Sequence, residues 1–156
     1  MTTAESTVSG FWGTPSSTTF GIKGGGWGNN VNGVAMVAYC FAEVAGYSRF
    51  GSYVGNADAN GPFIYTGFAP AFVMYKRTDV GDSWVVKDNK RLGYNLNTTR
   101  IYPNQSLAED TSTNGSIDLL SNGFKHRSAN DLGNQTGGTY IYMALAENPF
   151  KYSLAR

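Results

Sequence analysis

A chain of 156 residues is long enough for one domain that buries about 70% of the surface its unfolded form exposes, so folding asks for no metal or disulfide. Only 15% of the residues are charged, against roughly 25% in a typical soluble domain, and polarity falls instead to Asn, Ser, Thr and Gly. The formal net charge of +1 removes the bulk electrostatic case for nucleic acid or an anionic membrane, and no apolar run approaches the ~20 residues of a membrane span.

In chain order, the opening MTTAESTVSG has neither a basic leader nor an apolar stretch, and residues 1–10 read as an arm before a single domain spanning 1–156. The glycine-dense GIKGGGWGNNVNG at 21–33 lacks Gly-Lys-Ser/Thr and a following helix, so it reads as a loop presenting Trp27 rather than a phosphate cradle. The uncharged run from Val34 to Ala42 predicts a buried central strand, in which Cys40 packs as a small hydrophobe. Tyr39, Phe41 and Glu43 would then share one face.

Short segments rich in aromatic and β-branched residues follow: 63–65, 71–75, 83–87, 100–102, 117–120 and 123–125. Between them lie turn clusters such as GNADANGP at 55–62, TDVGD at 78–82 and EDTSTNGS at 109–116. The run Tyr140 to Ala146 predicts a second central strand, buried on both faces and a neighbour of the first. Pro149 cannot donate to a ladder, so that strand should stop near Asn148. In the tail 149–156, Phe150, Tyr152 and Leu154 alternate, with Lys151 and Arg156 as polar partners, a pattern suited to a groove on this chain or on an adjacent copy. No segment sustains helical periodicity over three turns, and the strand spacing predicts an all-β, antiparallel β-sandwich.

Catalytic sets are thin. His126 is the one histidine, sits where a polar strand face is expected, and has no Gly-x-Ser-x-Gly elbow to serve. Glu43 and Glu147 could form the two-carboxylate pair of a glycosidase, or each could close its strand by pairing with Lys76, Arg77 or Arg49. Asp58 and Asn60, and Asp110, Asn114 and Asp118, offer hard oxygens for calcium without EF-hand spacing, and solvated loops are the simpler reading. No cofactor is expected, and the chain reads as a non-enzyme.

The segments VAYCFAEVAGYSRFGSYVGN, NGPFIYTGFAPAFVMYKRTD, SWVVKDNKR, IDLLSNGFKHRS and GGTYIYMALAENPFKYSLAR occur in an order that resembles a domain family of phage virion proteins, marine and cyanobacterial, of tail-fibre type. The resemblance covers residues 8–156 and implies a jelly-roll or concanavalin-like sandwich, a place in the virion among other phage proteins, and no catalytic residues to carry over. It implies a tail-fibre or receptor-binding module that contacts the host surface, with a capsid decoration protein as the alternative. By analogy with such proteins a homo-oligomer is expected, a trimer first. For a host-surface polysaccharide the expected contacts are loop aromatics Trp27, Tyr53, Tyr94 and Tyr102, with Asn56, Asp58 and Asn60 in a neighbouring turn.

Overall fold

The computed structural model describes residues 13–22, 32–92 and 94–149. Its contacts divide the chain into two compact units, with the division between Phe41 and Ala42. In the smaller unit, the Gly13 N–H donates to the Gly21 carbonyl at 2.7 Å, and the Ser16 hydroxyl accepts from the Thr18 and Thr19 N–H groups. Residues 34–41 carry no strand and every one is exposed, Val37 at 78% and Tyr39 at 83%. The central strand expected from Val34 to Ala42 is therefore corrected, and Cys40 is an exposed free thiol rather than a buried hydrophobe. An uncharged run records what a strand can bury, but it does not record whether a partner strand is left for it.

The larger unit holds seven strands among the described residues: β1 (Ser48–Val54), β2 (Phe63–Tyr65), β3 (Pro70–Arg77), β4 (Val85–Asp88), β5 (Ile117–Leu120), β6 (Gly123–His126) and β7 (Thr139–Ala146). One short helix, α1 (Asp131–Asn134), is capped by the Asn130 side chain, which accepts from the Leu132 N–H. The strands form two antiparallel sheets, ordered β1-β7-β3-β4 and β2-β6-β5, and the protein is a β-sandwich.

The carboxy-terminal run does form a central strand, but its neighbours are β1 and β3. It is buried on one face only: Tyr140, Tyr142 and Ala144 point into the core, while Ile141 is 40% exposed. That alternation is what a sandwich requires, since each sheet has a single inner face. The strand ends at Ala146, and the Glu147 N–H turns to the Ala69 carbonyl at 2.9 Å, consistent with the stop expected before Pro149.

The core joins Tyr53, Val73, Tyr75, Val85, Tyr140, Tyr142 and Ala144 of the larger sheet to Ile64, Ile117 and Phe124 of the smaller, with Phe68 between. Each fully buried Val, Ile or Phe contributes about 1.5–3 kcal/mol. Tyr53 stacks on Tyr140 with centroids 4.9 Å apart, and Phe124 meets Tyr142 edge-on at 5.5 Å. β5 and β6 are joined by the two-residue turn Ser121-Asn122. Gly123 is obligatory there, because a Cβ would lie 2.2 Å from the Ile64 carbonyl oxygen of β2.

Candidate functional site

The four-residue loop 66–69 joins β2 to β3, so the end of β2, the start of β3, the end of β7 and the β5–β6 turn gather at one end of the sandwich. A cleft of about 420 Å³ opens there, between Pro70 and Glu147 on one side and Leu119 to Ser121 on the other. Its remaining wall comes from the chain after β4: Asn89, Lys90, Tyr94, Asn95 and Asn97.

That wall is built by side chains that imitate backbone. The Asp88 carboxylate accepts from the Lys90 and Arg91 N–H groups at 2.9 Å each, which fixes the turn leaving β4. Asn95 donates to the Leu119 carbonyl and accepts from the Leu119 N–H, both at 2.9 Å, so its amide pairs with β5 as a strand residue would. Asn97 exchanges backbone hydrogen bonds with Ile117 and donates its amide to the Asp88 carbonyl at 2.7 Å. The segment is thus stitched to both sheets, and Tyr94 projects from it, 69% exposed. The Oδ1 atoms of Asn89 and Asn97 are buried without a donor in the protein.

Beneath the wall lies a buried cationic seam. Lys87 is fully buried and donates to the Asn97 and Thr98 carbonyls at 3.2 and 2.9 Å. Burial, reinforced by the Arg100 charge, lowers its pKa to about 7. Arg100, 2% exposed, binds the Asp110 carboxylate at 2.5 Å, the Ser112 hydroxyl at 2.7 Å and the Tyr102 hydroxyl at 2.6 Å. The Ser112 N–H first, and Arg100 with it, hold the Asp110 carboxyl below the usual carboxylate range.

His126 corrects another expectation. It lies inside the sandwich rather than on a polar face, with its ring 5.0 Å from Tyr53 and 5.3 Å from Tyr75, and neither ring nitrogen has a partner. Burial, then the Lys87 charge, lowers its pKa to about 3. Gly133 makes room for it, since a Cβ at that position would stand 2.5 Å from the imidazole Cε1. A neutral imidazole sealed among aromatics relays no proton to a substrate.

The structure disperses the residues expected to bind a glycan. Tyr94 is in the cleft. Tyr53 is a core residue of β1, 9% exposed, whose hydroxyl donates to the Gly133 carbonyl. Tyr102 packs partly buried against the core. Asn56, Asp58 and Asn60 lie in the loop that follows β1, at the opposite end of the sheet from the cleft, where Asn56 Oδ1 accepts from the Asp58 N–H and Asp58 Oδ1 from the Asn60 N–H. Trp27 and the tail residues Phe150, Lys151, Tyr152, Leu154 and Arg156 lie outside the described residues. Glu147 lines the cleft, whereas Glu43 is ion-paired to Arg49. Among the described residues no cluster of three or more His, Cys, Asp or Glu is placed to hold a metal ion.

Sequence reasoning missed Asn89, Asn95 and Asn97. The signal for the last two is an asparagine at alternate positions, 95 and 97, in "DNKRLGYNLN", which reads as a loop until the β5 partner is known.

No curated protein and no solved structure matches the chain. One family model does, described as a domain of unknown function, DUF7483, and it matches residues 1–149. With nearly the whole chain covered, this β-sandwich belongs to the DUF7483 family.

Proposed function

We propose that the chain is a non-catalytic binding module of a phage particle, of the tail-fibre type, that engages a host-surface polysaccharide in the cleft beside Tyr94. The observation that carries the reading is the cleft itself: an exposed aromatic ring set among three asparagines, on a segment pinned to both sheets. Sugars offer a C–H face to an aromatic ring and a rim of hydroxyls to amides, and a pinned wall limits the ordering cost of binding. The catalytic alternative has little support, because among the described residues Glu147 is the one carboxylate lining the cleft and a glycosidase needs two. Placement in the virion, a jelly-roll or concanavalin-like description of the sandwich, and a homo-oligomeric state rest on the resemblance of the sequence to phage virion domains.

The test is an array of neutral and acidic bacterial surface polysaccharides probed with the wild type and with Tyr94→Ala. Binding by the wild type that falls about tenfold or more in Tyr94→Ala supports the reading. A silent array, together with high copy number by virion mass spectrometry, would assign a capsid decoration role instead. Turnover of any glycan, abolished by Glu147→Gln, would make it an enzyme.

A further inference from the structure

A second cleft, of about 320 Å³, opens at the same end of the sandwich. It is lined by Tyr65, Thr66, Gly67 and Phe68 on one side and by Ala45, Gly46, Ser48 and Arg49, around the start of β1, on the other. The 66–69 loop borders both clefts, with Thr66 to Phe68 lining the second and Ala69 the first.

That loop is a fixed ridge. The Thr66 and Gly67 N–H groups both donate to the Asn122 carbonyl, at 3.0 and 3.2 Å, and the Thr66 hydroxyl donates to the Phe68 carbonyl at 2.7 Å. Phe68 is 1% exposed and anchors the ridge in the core, and the Glu147 N–H holds its far end at Ala69. Tyr65 stands beside it, 63% exposed, with its ring running along Gly67, where a Cβ would be 3.6 Å from the tyrosine hydroxyl. Each cleft thus presents one exposed tyrosine on a rigid support.

We propose that the two clefts are successive subsites for one chain-like, neutral glycan that crosses the 66–69 ridge, with Tyr94 stacking in the first and Tyr65 in the second. The proposal rests on the reading of the first cleft as a glycan site. Neutrality follows from the lining charges. Lys90 and Glu147 balance in the first cleft, and the Arg49 guanidinium of the second is engaged by Glu43. A sulfated or uronic chain would find no uncompensated cation in either.

The test takes the neutral polysaccharide with the strongest array signal, cut by mild acid into short and long fragments, and measures affinity by titration calorimetry. Tyr65→Ala should weaken long fragments about tenfold and leave short ones within about twofold, while Tyr94→Ala weakens both. Tyr65→Phe, which keeps the ring, should bind as wild type. Both tyrosines are exposed, so unchanged thermal melts verify folding. Equal affinity of wild type and Tyr65→Ala for long fragments overturns the two-subsite proposal and leaves the first cleft standing. Stronger binding of acidic than of neutral chains overturns the assigned class. No signal from any polysaccharide with the wild type removes the underlying glycan reading and the subsites with it.

Discussion

His126 and Lys87 occupy the interior in their uncharged or easily discharged forms, and each makes stability depend on pH in a definite window. The imidazole pKa falls from 6.5 in the unfolded chain to about 3 in the fold. Between those values the unfolded state binds the proton and the native state does not, so stability is lost as pH falls from about 6.5 to 3, on the order of 5 kcal/mol in all. Replacing His126 with Phe removes two unpartnered ring nitrogens from a site already walled by Tyr53 and Tyr75. Urea midpoints for His126→Phe should match or exceed the wild type at pH 7 and stay nearly flat from about pH 6.5 to about 4, where the wild type declines. A parallel decline in both proteins would show that the imidazole is not the source. Lys87 acts in a higher window. With its pKa lowered from 10.5 to about 7, it makes the native state more stable as pH rises from 7 toward 10, above which the buried phenols of Tyr53 and Tyr75, raised by burial, reverse the trend. Lys87→Met should abolish that rise and cost about 1–3 kcal/mol, because the Thr98 carbonyl loses its donor.

At the scale of elements, close approach decides which substitutions the sheets tolerate. Gly123→Ala drives a methyl into the Ile64 carbonyl at 2.2 Å and should cost about 3 kcal/mol, with β2 losing hydrogen-exchange protection first. Gly137→Ala meets nothing within 4 Å and suffers only its positive φ of 70°, so its cost should be about 1 kcal/mol. Equal costs would refute the steric account. The sequence made several of these elements legible: 63–65 and 117–120 carry the residues that became β2 and β5, and Tyr140 to Ala146 lies within β7. Others were hidden for stated reasons. β1 was missed because Arg49, Gly51 and Ser52 break its apolar alternation, yet Gly51 is small so that the Tyr142 ring can lie 2.9 Å from its Cβ position. The segment 100–102 makes isolated bridges, Val86 with Ile101 and Arg100 with Asp110, instead of a strand. Of the aromatics singled out for a glycan, Tyr94 alone among the described ones reaches a cleft, since composition marks an aromatic as useful without saying which face of a strand it takes. Tyr65 shows the converse: it was counted as a strand residue, and its outward side chain follows from the pairing of Ile64 into the core.

At the scale of the molecule, the segment 34–41 is an exposed apolar run. From Val34 to Phe41 no residue is charged, and Val34, Met36, Val37 and Tyr39 are between 53% and 83% exposed. Contiguous apolar exposure of this kind is uncommon on monomers and marks an interface. The larger sheet supplies a matching surface. β1 has β7 as its sole strand neighbour among the described residues, and the bridge between Val44 and Ser48 lies at its start. β1 is the edge strand of its sheet and seven residues long, about the length of the exposed run, and an edge strand is a template for a strand from another chain. For the homo-oligomer proposed above, the expected occupant of the β1 edge is the 34–41 run of a second copy. Light scattering separates this route from one through the tail. Val37→Lys with Tyr39→Lys places charge where the interface would be dry and should dissociate the oligomer, whereas deletion of residues 150–156 should leave its mass unchanged. If the deletion dissociates it and the lysine variant does not, assembly runs through the tail residues Phe150, Tyr152 and Leu154, and the exposed run belongs to a different partner. A wild type that is monomeric at every concentration refutes both routes, and with them the homo-oligomer.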